Sequence, residues 1–313
     1  TESTASYSLE FMTQLRDIVE LIRPQQWTKN LIVFAAILFS PARVAVENPL
    51  VILKVVQAFF AFCCLSGSIY AFNDWQDLES DKQHPAKSKR PMASGRVSPG
   101  TGLLISASLA LFGVLWAYAL DIWFGWIGVV YVAINLAYSL GLKQAVILDV
   151  LALSFGFVLR AVGGIAVIWR YIPDFYLSYW LLLCAFLLSL FLALAKRRHE
   201  IVLLGDQAAS HRASLLHYST HFIDQLLAVL GAATLVAYSL YTISDDTLKH
   251  YGTRALFWTI PFVVYGLFRY LYLIYNRAQG GDPTQMLIRD RPTMINVLLW
   301  AFTAAMIVYF LSG

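Results

Sequence analysis

The feature that most constrains this chain is the recurrence, along nearly its whole length, of apolar runs of about twenty residues, the length a helix needs to cross a bilayer's hydrocarbon. Within that hydrocarbon each backbone N–H and C=O must find its partner inside the protein, which favours helices. Soluble domains carry about a quarter of their residues as charged ones. Here 13% are charged and 59% hydrophobic, and the mean hydropathy is +0.63. An ordinary soluble protein is excluded, and no long polar segment remains for a separate soluble domain. Residues 1–313 therefore read as one all-α, polytopic membrane domain.

The runs place nine spans at about 25–42, 50–72, 101–120, 122–142, 146–169, 175–195, 222–243, 255–275 and 292–311, with three long polar loops at 73–100, 196–221 and 276–291. Residues 1–23 form an interfacial N-terminal segment. Phe11, Leu15, Ile18 and Ile22 share one face of an amphipathic helix predicted over 9–22, and Pro24 ends it. The polar, acidic start lacks the basic-then-apolar order of a secretory signal, so no cleavable leader is expected. Cys63, Cys64 and Cys184 lie within apolar runs as small core residues. Trp116, Trp123, Trp126, Trp169, Tyr171 and Trp258 stand near the ends of runs, where aromatic rings favour the membrane interface.

Lys and Arg set the orientation. Sixteen of the 23 fall in the N-terminal segment and the loops after even-numbered spans, against Arg43, Arg170, Lys249 and Arg254 on the other side. The positive-inside rule puts the richer side, with all three long loops, in the cytoplasm of a cell membrane.

The second span runs out into Asn73-Asp74-Trp75-Gln76-Asp77-Leu78-Glu79-Ser80-Asp81, then His84-Pro85-Ala86-Lys87-Ser88-Lys89-Arg90-Pro91. On a continued helix Asn73, Asp77 and Asp81 recur every four residues, about 6 Å apart along the axis. Mg2+ takes one or two carboxylates and keeps its other positions for water and phosphate oxygens. This stripe, backed by Lys and Arg, suits a metal and diphosphate cradle. A solvated charge run is the ordinary alternative, and the strict spacing at a membrane exit speaks against it.

Tyr138, Leu142, Lys143 and Asp149 spell YxxxLKxxxxxD after the fourth span, and Arg160 follows inside an apolar helix with Gly156, Gly163 and Gly164. An intramembrane Arg needs a partner or a polar cavity. Asp149, three turns away, is out of its reach, which leaves an acid on another helix or an anionic ligand. Lys196-Arg197-Arg198-His199-Glu200 closes the sixth span, either as a positive-inside anchor or as a phosphate contact with an orienting carboxylate. Arg289-Asp290-Arg291 ends the last loop. His199, His211, His217 and His221 match no zinc spacing.

Nine spans, NDxxDxxxD closing the second, YxxxLK closing the fourth and an aspartate early in the fifth resemble the UbiA superfamily of intramembrane prenyltransferases over essentially the whole chain. Arg23-Pro24-Gln25-Gln26-Trp27-Thr28-Lys29-Asn30, the HPxKxxRP tail, Arg160 and Lys196-Arg197 resemble its decaprenyl-phosphate phosphoribosyltransferase branch. The resemblance implies nine helices around a central cavity open to the cytoplasm and, through a lateral portal, to lipid. It implies phosphoribosyl pyrophosphate (PRPP) as donor, a polyprenyl phosphate as acceptor, pyrophosphate as leaving group, and a place in cell-wall arabinan precursor synthesis. Mg2+ would lie on Asn73, Asp77 and Asp81, and catalysis would rest on Asp77, Asp81, Lys143 and Arg160. Asp74, Lys87, Arg90, Tyr138, Lys143, Asp149, Arg160, Lys196, Arg197, Glu200, Asp290 and Arg291 would bind PRPP. Arg23, Trp27, Lys29 and Asn30 would meet the lipid phosphate. Many relatives carry a second DxxxD, but Leu153 stands four residues after Asp149, which puts a second fully ligated metal in doubt. Holding a diphosphate, a 5-phosphate and a lipid phosphate in one cavity needs more cations than one diphosphate does, and the basic clusters fit that need.

The expected partners are thus these two substrates and membrane lipid. Nucleic acid is not among them, and a homo-oligomer is compatible with the reading. Two other functions compete: a prenyltransferase joining a polyprenyl diphosphate to an aromatic or glycerol-phosphate acceptor, and a transporter or channel. No inverted repeat of broken helices supports the last.

Overall fold

The computed structural model describes residues 2–38, 48–85, 87–171, 178–204, 217–277, 286 and 289–311, and the side chains of these except 2–11, 204 and 277. The rest of the first predicted span (39–47), most of the third long loop (278–285, 287–288) and residues 205–216, with His211 and Arg212, lie outside them.

All regular structure among the described residues is helical. Helix α1 (Glu2–Ile22) is followed by a 3-10 segment (Pro24–Phe34) and a short α2 (Ala35–Leu38). Then come α3 (Pro49–Gln76), α4 (Leu78–Gln83), α5 (Pro99–Leu120), α6 (Ile122–Leu140), α7 (Leu148–Ala166) and α8 (Tyr179–Leu204). The chain ends with α9 (Thr220–Ile243), α10 (Asp245–Tyr251), α11 (Ile260–Arg277) and α12 (Arg291–Phe310). Eight helices among the described residues are long and apolar enough to cross a membrane, and they coincide with the second to ninth predicted spans. Their starts follow ordinary capping: Asn48, Ser98, Asp121, Ser219 and Asp290 each accept a backbone N–H at the first turn of a helix.

The first predicted span takes a different form. From Pro24 the chain winds as a 3-10 helix and packs against α3 and α7. Its first turns, Gln25 to Asn30, carry polar side chains that a lipid-facing helix would have to expose, whereas here Asn30 turns into the protein and is fully buried. Irregular backbone at membrane depth is tolerated where protein surrounds it. Gly164 on α7 makes the approach feasible, because a Cβ there would lie 2.2 Å from the Val33 carbonyl oxygen.

Helix α1 covers the predicted 9–22 and extends further toward the N-terminus. It leaves Met12, Leu15 and Val19 exposed on one side, while Leu21 packs with Ala71, Met92 and Val97. Arg96 clamps its inner side, bonding Asp17 and both oxygens of Glu20. That pairing holds the Glu20 carboxyl below its ordinary range.

One core unites α3, α5, α6 and α7 with the 3-10 segment, and a second unites α7, α8, α9 and α11. Between the 3-10 segment and helices α7 to α12 lies a cavity of about 610 Å3 with almost wholly apolar walls, among them Leu31, Ile32, Ala161, Leu188, Tyr238 and Trp300.

Candidate active site

Three side-chain clusters converge on α3, α6 and α7. The first is the acidic exit of α3. The helix breaks at Asp77, yet backbone bonds run on from Asp77 N to Asn73 O (2.9 Å) and from Asp81 N to Asp77 O (2.8 Å), so the fourfold spacing survives the break. Every carboxylate already has a cation: Lys143 donates to Asp77 at 2.6 Å, Arg90 bridges Asp74 and Asp81, Lys87 stands 3.7 Å from Asp81, and Arg23 pairs with Asp74. Asn73 accepts from Ser139 on α6. Among the described residues no three His, Cys, Asp or Glu side chains gather as a ready cluster for a metal. The donor set nevertheless fits a hard cation, since Asp74 Oδ2 and Asp81 Oδ1 are buried with no hydrogen-bond partner, a state that costs free energy unless a ligand relieves it.

The second cluster is built on Asp149, fully buried at the start of α7. It accepts from Arg197 Nε at 2.8 Å and from Tyr218 Oη at 2.9 Å. Arg197 also donates to Glu200 at 2.7 Å and to Tyr138 Oη at 3.2 Å. Burial pushes the Tyr218 phenol up to about 12, so it stays a proton donor. Its oxygen also receives the N–H of Ile147 at 2.6 Å, which holds that residue at φ +70°, unusual for a β-branched side chain. The Arg197 guanidinium, expected from the sequence to grip phosphate, is buried and engaged by Asp149, Glu200 and Tyr138, and so ties α6, α7 and α8 together. Lys196, next to it, faces the charges of Lys29 and Glu200.

The third cluster lies deeper. Arg160 is 6% exposed and donates from Nε to Asn30 Oδ1 (2.7 Å), from one terminal nitrogen to the Gly156 carbonyl (2.9 Å) and from the other to Tyr131 Oη (2.7 Å). Its guanidinium lies 4.8 Å from the Tyr131 ring centre and 5.3 Å from that of Phe157. Asn30 spends its amide on Cys63 Sγ (3.3 Å) and Ser66 Oγ (3.2 Å). Asn30, expected from the sequence near the lipid head group, is thus a buried bracket for Arg160.

The remaining expected residues scatter around these clusters. Arg23 stacks 5.3 Å over Tyr70 beside Asp74. Trp27 is half-buried, its Nε1 without a partner. Asp290 pairs with Arg269 at 2.8 Å and caps α12 through Thr293, while Arg291 is exposed. The structure thus binds Asp290 to neither neighbouring arginine and uses it in helix capping. Tyr131, Ser139 and Tyr218 had no sequence signal beyond position: Tyr131 stands seven residues before Tyr138, on the same face of one helix.

An apolar cavity among membrane-length helices, a buried arginine beside its wall and a cation-paired acidic exit at the end of α3 are the features of an intramembrane fold with one apolar and one charged end. The chain belongs to the UbiA prenyltransferase family, whose model matches residues 31–287. It is 33% identical over 302 residues, covering 94% of this chain and 92% of the relative, to a decaprenyl-phosphate phosphoribosyltransferase of Mycolicibacterium smegmatis. A protein of the same name from Mycobacterium tuberculosis is 31% identical, with 94% of each chain covered. In fold it is similar to a UbiA homolog from Archaeoglobus fulgidus bound to GPP and Mg2+, with TM-score 0.72 and 16% identity, over 93% of this chain and 99% of that one.

Proposed function

We propose that this chain transfers phosphoribose from PRPP to a polyprenyl phosphate and releases pyrophosphate, the product serving cell-wall arabinan synthesis. The observation that carries this reading is the near-full-length identity to two proteins named for that reaction. The cation-rich head-group end is consistent with a donor and an acceptor that together bring three phosphate groups. In this reading the first predicted span, about 25–42, makes the ninth crossing, α1 lies in the interface on Met12, Leu15 and Val19, and the acidic exit faces the cytoplasm.

Asn73, Asp77 and Asp81 would hold Mg2+, which supplies Lewis-acid and template chemistry to a diphosphate. Lys143, Lys87 and Arg90, each within reach of those carboxylates, neutralise donor phosphate oxygens. Asp74 keeps Arg23 and Arg90 aimed at the same place. Asp149, Arg197, Tyr138 and Glu200 fix the helix ends that carry Lys143 and Lys196. The lipid phosphate is an anion near neutral pH and needs no strong general base, so positioning and electrostatic stabilisation supply most of the rate. The apolar cavity holds the prenyl chain and keeps water from competing for the anomeric carbon.

The test is pyrophosphate release by purified protein given Mg2+, PRPP and a polyprenyl phosphate, with mass spectrometry of the lipid. A phosphoribosylated lipid supports the reading. Turnover only with a polyprenyl diphosphate and an aromatic acceptor would replace it with ordinary prenyl transfer.

A further inference from the structure

Two arginines are buried among the described residues, and their surroundings differ in kind. Arg197 meets two carboxylates. Arg160 meets none: its partners are an amide oxygen, a peptide carbonyl and a phenol. Those three bonds engage three of the five guanidinium N–H donors and leave its charge unbalanced. A cation held at membrane depth by neutral groups alone is costly, and a second anionic component, absent from the chain itself, would balance it.

Depth says which anion. Asn30 brackets Arg160 at the level of Ser66, seven residues before Asn73 on α3, so Arg160 sits about 10 Å below the acidic exit at 1.5 Å per residue. Tyr131, eight residues before Ser139 on α6, gives about 12 Å by the same rise. The apolar cavity passes this level, for its walls include Ala161, next to Arg160 in sequence, and Leu31 and Ile32, next to Asn30. A water-soluble donor comes from the polar end, where the acids are. A hydrocarbon chain in the cavity lies against the turn of α7 that carries Arg160.

We infer that Arg160 receives the phosphate of the acceptor lipid, with Asn30 and Tyr131 as the residues that position its guanidinium. The inference rests on the phosphoribosyl-transfer reading and moves Arg160 from the donor to the acceptor side of it. A phosphate oxygen of the lipid then forms the new bond to the anomeric carbon from below, as the bond to the diphosphate breaks above and its electron pair leaves with pyrophosphate. The ribose then lies between Arg160 and the near end of the acidic exit, about 10 Å above it, and the in-line approach inverts the anomeric centre.

The experiment compares wild type, Arg160→Gln, Arg160→Lys and Tyr131→Phe as full-length protein in nanodiscs. Farnesyl phosphate and farnesol are titrated by tryptophan fluorescence, and KM is measured separately for PRPP and for the lipid. Arg160→Gln is expected to raise the Kd and KM for the lipid phosphate about 10- to 100-fold, as for loss of one charge-assisted contact, and to abolish the preference for phosphate over alcohol. KM for PRPP stays within about twofold and Arg160→Lys recovers part of the loss, while Tyr131→Phe, which keeps the charge, gives a several-fold rise for the lipid alone. A rise in KM for PRPP with the lipid unaffected, or an unchanged preference for phosphate over alcohol, overturns the inference. If wild type makes no phosphoribosylated lipid, the functional reading fails by itself, and the binding preference still tests Arg160.

Discussion

Removing Asp149 should expose how much of this fold depends on one buried ion pair. Asp149→Ala deletes the acceptor of two hydrogen bonds, from Arg197 Nε and Tyr218 Oη, at a position with no solvent exposure. Breaking one side of a buried pair costs about 3–5 kcal/mol, because the surviving charge remains buried. Arg197 keeps its 2.7 Å bond to Glu200, so the expected cost lies at the low end, about 3 kcal/mol. Arg197→Met in the same background removes the stranded charge, and the double variant should recover about 2 kcal/mol relative to the sum of the single changes. Unfolding free energies from denaturing-detergent titration, followed by tryptophan fluorescence, measure all four corners of the cycle. Strict additivity, or a cost below about 1 kcal/mol for Asp149→Ala, would refute the claim that this pair fastens α7 to α8.

Other outcomes follow from the same structure. Asp77→Asn should abolish metal-dependent pyrophosphate release while lowering stability by no more than about 1 kcal/mol, since the Asp77 side chain is 35% exposed and its pair with Lys143 is solvent-screened; a paired melting and activity measurement separates the two. Gly164→Ala should destabilise by about 1–3 kcal/mol and impair turnover, because the new methyl meets the Val33 backbone, which cannot rotate aside, whereas Gly100→Ala has open space and should leave the melting point nearly unchanged. Arg269 and Thr293 hold the Asp290 carboxyl down at about 2. A depressed acid stabilises fully above its unfolded value near 4 and loses that contribution as pH falls toward about 2. Melting curves between pH 5 and pH 2 should therefore show an acid limb that Asp290→Asn flattens.

The fold was largely legible because bilayer-length apolar runs admit few alternatives, and Pro49, Pro99 and Pro292 mark helix starts directly. The form of the first span was hidden because Leu31 to Leu38 reads as an ordinary apolar run, while the 3-10 winding that sinks Asn30 brings Val33 against Gly164, which the sequence around Pro24 does not contain. The acidic exit was legible from its spacing. Its neutralising partners were not: Asp74 takes its cation from Arg23, 51 residues away, and Arg160 is bracketed by Asn30 at a separation of 130. Periodicity tells which residues share a helix face and says little about which faces meet. The same gap hid the difference between Arg160 and Arg197, two arginines of similar standing in the sequence whose partners make one a candidate ligand contact and the other a fastener.

The pairing of every acid at the exit of α3 with a lysine or arginine also bears on how such a site persists between turnovers. Bare carboxylates in so enclosed a place would repel one another, and bare cations would attract stray anions. Here the resting protein carries its own counterions; on the proposed reading Asn73, Asp77 and Asp81 would hold a divalent metal, and Lys143, Lys87 and Arg90, released from those carboxylates, would meet the phosphates. Local net charge would then stay nearly constant through binding and release, and filling and emptying the site would ask for side-chain rearrangement more than for rehydration of ions.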